Sequence, residues 1–134
     1  MLDRLTNSLD FQTQALVLRS ERQRLIASNI ANADTPGYQA RDMDFAAALR
    51  EATGAATPAQ ALSATQAGHL SPAAGARGEA GLKYATPSPT NLDSNSVDMD
   101  RERAAFADNA VHYEATLRFI NGGVRTLLSA ITGQ

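Results

Sequence analysis

The tail of the chain carries a single apolar stripe. Met99, Phe106, Ala110, Tyr113, Leu117, Ile120, Val124, Leu127 and Ile131 recur at alternating intervals of three and four residues, with Arg103 taking one seam position. This predicts a helix over Asp98–Ile131, about 45 Å long at about 1.5 Å per residue. A strict three-four alternation is the narrow seam of a coiled coil rather than the broad face of a globular-core helix. The helix-packing seam is therefore expected at Phe106, Ala110, Tyr113, Leu117, Ile120, Val124, Leu127 and Ile131. It has to be covered by another helix, from this chain or from a different one.

The head of the chain predicts a second long helix over residues 3–32, because no Pro or Gly precedes Pro36. Two stripes compete on it. One is Leu2, Leu5, Leu9, Leu16, Ile26 and Ile30; the other is Phe11, Ala15, Leu18 and Leu25, continued by Asn29 and Asn32. Two adjacent stripes imply contact with more than one neighbour, and Leu5, Phe11, Leu18 and Leu25 cannot all be covered by one partner helix. The polar run Arg19-Ser20-Glu21-Arg22-Gln23-Arg24 reads either as a solvated face or as charges that fix register against a partner.

Pro36 disfavours helical geometry at Thr35, so this helix should end near Asn32 or Ala33. Pro36-Gly37 suits the two central positions of a type II turn, with Gly37 at positive φ. Asn29 and Asn32, three residues apart on the last turn, can satisfy orphan carbonyls or reach another chain. Beyond the turn, Gln39–Asp44 reads as extended. Phe45–Ala52 reads as a short helix capped by Asp44, with Phe45, Ala48 and Leu49 inward.

From Glu51 to about Asn95 the composition changes. Pro58, Pro72, Pro87 and Pro89 fall here with abundant Ala, Gly, Ser and Thr, and the apolar anchors thin out to Leu62, Leu70, Leu82 and Tyr84. This reads as a long loop or insertion, with room for short strand pairing around Leu82–Thr86. The tail helix then opens at Asn95-Ser96-Val97-Asp98, with Asp98, Asp100 and Glu102 in its first turn where the helix dipole favours negative charge. Glu114 and Arg118 form an i,i+4 pair. Gly122-Gly123 interrupts the run, either as a weak spot costing about 1 kcal/mol per Gly or as a close approach of a neighbouring helix. Gly133 can stop the helix. The expected fold is mainly α: long terminal helices packed as an antiparallel coiled-coil-like hairpin, residues 1–50 and 97–134, around an irregular middle, residues 51–96.

Composition narrows the function. Of 134 residues, 43% are hydrophobic but only 5% aromatic, with no Trp, so a large self-sufficient core is not expected. The net charge of -2 gives no basic surplus for nucleic acid or an anionic membrane. There is no Cys, hence no disulfide and no thiolate metal site. No stretch approaches the roughly 18 apolar residues of a membrane span. The opening MLDRLTNSLD carries charge where a signal peptide needs an apolar run, so any export is expected to proceed without a cleaved leader.

Catalytic chemistry is hard to assemble. Asp42 with Asp44, and Asp98 with Asp100, serve helix starts better than acid–base work. His69 sits in the Pro/Gly-rich segment, and His112 lies just off the seam. Phosphate loops, HExxH and EF-hand patterns are missing. The expectation is a non-enzyme with no cofactor, no metal and no small-molecule substrate.

One string is far more specific than the rest. Ser28-Asn29-Ile30-Ala31-Asn32-Ala33-Asp34-Thr35-Pro36-Gly37-Tyr38 resembles the signature with which the N-terminal helix of bacterial flagellar axial proteins ends. The continuation through Phe45 resembles the rod proteins of that family, as do Asn95–Glu102, Asn109, Tyr113 and Phe119-Ile120-Asn121. The likeness covers about residues 1–50 and 91–134. It implies a structural subunit of the flagellar basal-body rod, exported by the flagellar type III apparatus and assembled through terminal helices. The implied partners are other rod subunits, copies of itself, and membrane-ring, export-gate and rod-junction proteins. Asn29, Asn32, Pro36, Gly37 and Tyr38 become the expected assembly and turn motif. A sibling rod subunit and a soluble coiled-coil adaptor or export chaperone are the competing readings.

Overall fold

The computed structural model describes residues 2–54, 82–84 and 92–133. Helix α1 runs Leu2–Ala31, strand β1 Arg41–Met43, helix α2 Phe45–Ala52, strand β2 Leu82–Tyr84 and helix α3 Met99–Thr132. His69, Thr86, Leu62, Leu70 and the four prolines of the middle segment lie outside the described residues.

Local chemistry accounts for each boundary. The α1 helix stops at Ala31 and the chain turns at Thr35–Tyr38: the Tyr38 N–H donates to the Thr35 carbonyl at 3.2 Å, and Gly37 takes φ +71°. That is the type II geometry in which a residue with a Cβ is strained. Asp44 caps α2 by accepting from the Ala47 N–H at 3.1 Å. That bond, first among several causes, holds the Asp44 carboxyl below its ordinary pKa. Asp98 caps α3 through the Asp100 and Arg101 N–H groups, at 3.1 and 3.2 Å. At the other end Gly133 adopts φ +73° and donates to the Ser129 carbonyl.

The two long helices are antiparallel neighbours. Asn109 reaches Arg19 and Gln23, and the α-carbon of Gly123 faces Leu9, so residue numbers fall on one helix as they rise on the other. β1 and β2 form a two-stranded antiparallel ribbon, with Arg41 opposite Tyr84 and Met43 opposite Leu82. Lys83 extends this ribbon toward the α2 cap, its Nζ 3.5 Å from Asp44. Among the described residues the buried apolar set is small: Ala15, Leu18, Ile26, Ala40, Met43 and Val97. Ala40, Met43 and Val97 lie in the segments that cross one end of the hairpin. The other three, Ala15, Leu18 and Ile26, lie along α1.

Candidate functional site

Two features stand out: a hydrogen-bonded junction where the ends of α1 and α3 meet, and a side of the hairpin that stays apolar and open.

The junction is built around Asn29 and Asn95. Asn29, 1% exposed, donates to the Arg41 carbonyl at 2.8 Å and accepts from the Arg41 N–H at 3.0 Å. The Tyr38 hydroxyl donates to the same Asn29 oxygen at 3.3 Å. One amide thus satisfies both backbone groups of the first β1 residue and pins the redirected chain onto the helix it has just left. Asn32 stays local, donating to the Ser28 carbonyl at 2.8 Å and accepting from the Thr35 hydroxyl at 3.3 Å. Pro36 and Gly37 remain exposed at the tip.

Asn95 closes the junction from about 60 residues further along the chain. Its amide nitrogen lies 3.0, 2.7 and 2.8 Å from the carbonyls of Asn32, Ala33 and Thr35, while its oxygen accepts from the Val97 N–H at 2.8 Å. These carbonyls belong to the turn that follows α1, outside the helical ladder, and Asn95 supplies them with a donor. Alongside, Gly37 N–H donates to Asp93, Ser96 N–H donates to Tyr38, and the Ser96 hydroxyl accepts from Ala40 N–H at 2.7 Å. Asn95 and Ser96 form this clasp as well as opening α3, and the sequence alone signals only the second role.

Charge is drawn into the same region. Glu102 is buried on the first turns of α3, where the Asn29 amide favours its charged form. Desolvation raises its pKa, and Asp42 adds to that; Asn29, Arg101 and Arg22 oppose it. Arg22 lies 3.6 Å from Asp42. Arg19 stacks its guanidinium 4.4 Å from the centre of the Phe45 ring. Residues 19–23 are half-buried and only Arg24 is exposed, so most of this run is packed against the rest of the chain rather than solvated. His112 is an exposed neighbour of Asp108, with Nε2 3.6 Å from a carboxylate oxygen. Among the described residues no three His, Asp or Glu side chains gather closely enough to hold a metal ion.

The α3 face that meets α1 is not the apolar stripe. Its buried residues are Glu102, Asn109 and Thr116, seven apart, and Gly123 continues the series against Leu9. Tyr113, Ile120 and Leu127 sit half-buried on the shoulder of this face. Phe106, Ala110, Leu117, Val124 and Ile131 are exposed, Ile131 by 69%. The expected seam is centred roughly 70° around the helix from the face that α1 covers, given about 100° per residue. Within one chain, α1 therefore covers one shoulder of the seam and leaves the other open. The hydrophobic stripe measures where apolar groups lie; hydrogen bonds and small residues decide which side comes close. On α1 the second stripe turns inward through Ala15 and Leu18, while Phe11 and Val17 stay 45% and 40% exposed. A shallow apolar cleft of about 360 Å³ opens on the same flank, between Ala27, Ile30 and Ala31 of α1 and Arg103 and Phe106 of α3.

Two helices joined by a sealed junction, with an apolar flank left open, are the arrangement expected of a structural subunit. Comparison with known proteins agrees. The family model for "Flagella basal body rod protein" matches residues 9–39, from the first half of α1 through the turn. The flagellar basal body rod protein FlgB of Proteus mirabilis (strain HI4320) is 47% identical, with 98% of each chain covered. That of Escherichia coli (strain K12) is 45% identical over 98% of this chain and 97% of its own. The Cereibacter sphaeroides protein is 44% identical over 96% of each. The chain belongs to the FlgB family of flagellar basal body rod proteins. It is a structural component of the flagellar basal body, from a family that is not an enzyme family.

Proposed function

We propose that the chain is a proximal-rod subunit that joins its neighbours through the open flank of its terminal helices. The observation that carries this reading is the row Ala110, Leu117, Val124 and Ile131, repeating every seven residues and exposed along α3. A seven-residue apolar row is what a further helix needs for knobs-into-holes packing. Exposed rows of this kind mark interaction surfaces rather than ordinary solvent-facing helix. The helices that cover it are those of other rod subunits or copies of this chain. Membrane-ring, export-gate and rod-junction proteins lie at the ends of the assembly. Residues 1–50 and 97–134 act as the assembling unit, and residues 51–96 as the insertion between them. In this reading Asn29, Asn32, Pro36, Gly37 and Tyr38 redirect the chain so that both helices lie side by side.

The test is Leu117→Asp and Ile120→Asp expressed in place of the wild-type chain. Both are expected to abolish motility and to stop the rod at the inner membrane. Normal swimming by both would sink the proposal.

A further inference from the structure

The face that α3 turns toward α1 is the less hydrophobic of the two it could use. We propose that Asn109 is a rotational key: it sets the roll of α3 about its own axis, and so keeps the apolar row outside the hairpin. Asn109 is fully buried. Its amide nitrogen donates to the Arg19 backbone carbonyl at 2.9 Å and to the Gln23 side-chain oxygen at 2.5 Å. Both acceptors belong to α1, one turn apart. A roll of α3 by a single residue step moves Asn109 about 100° away and breaks both bonds. The residues that succeed it at seven-residue intervals fit the same roll. Thr116 is 5% exposed, with its hydroxyl returned to its own helix at His112. Gly123 is so close to α1 that a Cβ there would stand 3.1 Å from Leu9 Cδ2.

The competing arrangement is plain from the sequence. Rolled by roughly 70°, α3 would bury Phe106, Ala110, Leu117 and Val124 against α1, the result that hydrophobic burial alone selects. A buried Asn at a coiled-coil seam fixes register at a cost in stability. Here that Asn retains an oxygen with no hydrogen-bond partner, a residual cost that an apolar residue would not carry. The exchange keeps the row available to other molecules. This inference builds on the proposed assembly role, but its test is made on the isolated chain and does not require a rod to form.

The natural chain has no cysteine, so a single thiol reports one position. Thr116→Cys and Leu117→Cys are each placed in the wild-type chain, in Asn109→Leu and in Asn109→Ala, and labelled with iodoacetamide. In the wild-type background position 117 reacts much faster than 116. In both Asn109 variants the ratio of the two rates should fall at least about fivefold, the factor that corresponds to a net hydrogen bond of about 1 kcal/mol. Position 116 should gain as 117 loses. Circular dichroism establishes that helix content is retained, and Asn109→Ala introduces no bulk that could prevent folding. An unchanged ratio in the folded variants overturns the proposal. So does a parallel rise at both positions, which would make Asn109 an ordinary stabilising residue with no control of roll.

Discussion

Asn29→Ala is the sharpest probe of the junction. The substitution deletes the donor to the Arg41 carbonyl and the acceptor used by the Arg41 N–H and the Tyr38 hydroxyl. It also removes an amide that favours the charged form of Glu102. A net hydrogen bond contributes about 1 kcal/mol, and a partner left unsatisfied on burial costs about 1–3 kcal/mol. Arg41 is itself exposed, so water recovers part of its loss; Glu102 is buried and recovers less. The expected destabilisation is about 2–4 kcal/mol, a large share of the roughly 5–15 kcal/mol that holds a domain together. In urea titration followed by circular dichroism, with a slope of about 1–3 kcal/mol/M, the midpoint should drop by about 1–2 M at unchanged slope. Asn29→Asp should be at least as damaging at pH 7, because it loses the donor and sets a second charge beside Glu102. A midpoint within about 0.3 M of wild type for Asn29→Ala would show that β1 is held by other contacts and that the junction argument is wrong.

Other consequences can be measured on the same material. Glu102 has a folded pKa above its unfolded value, so the stability it contributes is present when it is protonated in both states and is lost as pH rises through the folded pKa. Glu102→Gln should therefore raise the urea midpoint at pH 7 relative to wild type and narrow that gap as pH is lowered toward 4; a gap that stays constant with pH would refute the assignment. Gly122 has open space around its α-carbon, whereas a Cβ on Gly123 presses on Leu9. Gly122→Ala should gain about 1 kcal/mol and raise Tm by about 4 °C. Gly123→Ala should gain clearly less; equal gains in differential scanning calorimetry would mean that Leu9 does not set the helix spacing there.

Features that depend on neighbours a few residues away can be read directly from the sequence. The Pro36-Gly37 turn, the Asp44 and Asp98 caps, the stop at Gly133 and the spans of both long helices follow from backbone sterics and from side chains reaching their own helix ends. The extended segment through Arg41–Met43 was legible too, but the strand at Leu82–Tyr84 only as room for pairing around Leu82–Thr86, with neither its partner nor its register. How distant parts meet emerges only in the folded chain. Asn95 is an unremarkable polar residue ahead of a helix until the turn after α1 folds beside it and offers three carbonyls. Nothing in the residue types of Glu102, Asn109, Thr116 and Gly123 marks them as the packed face, because periodicity weights residues by hydrophobicity and points to the adjoining stripe. Which face of a helix is covered depends on how near two backbones come and on the hydrogen bonds they exchange, and neither quantity is written in the hydrophobic pattern of one strand of sequence.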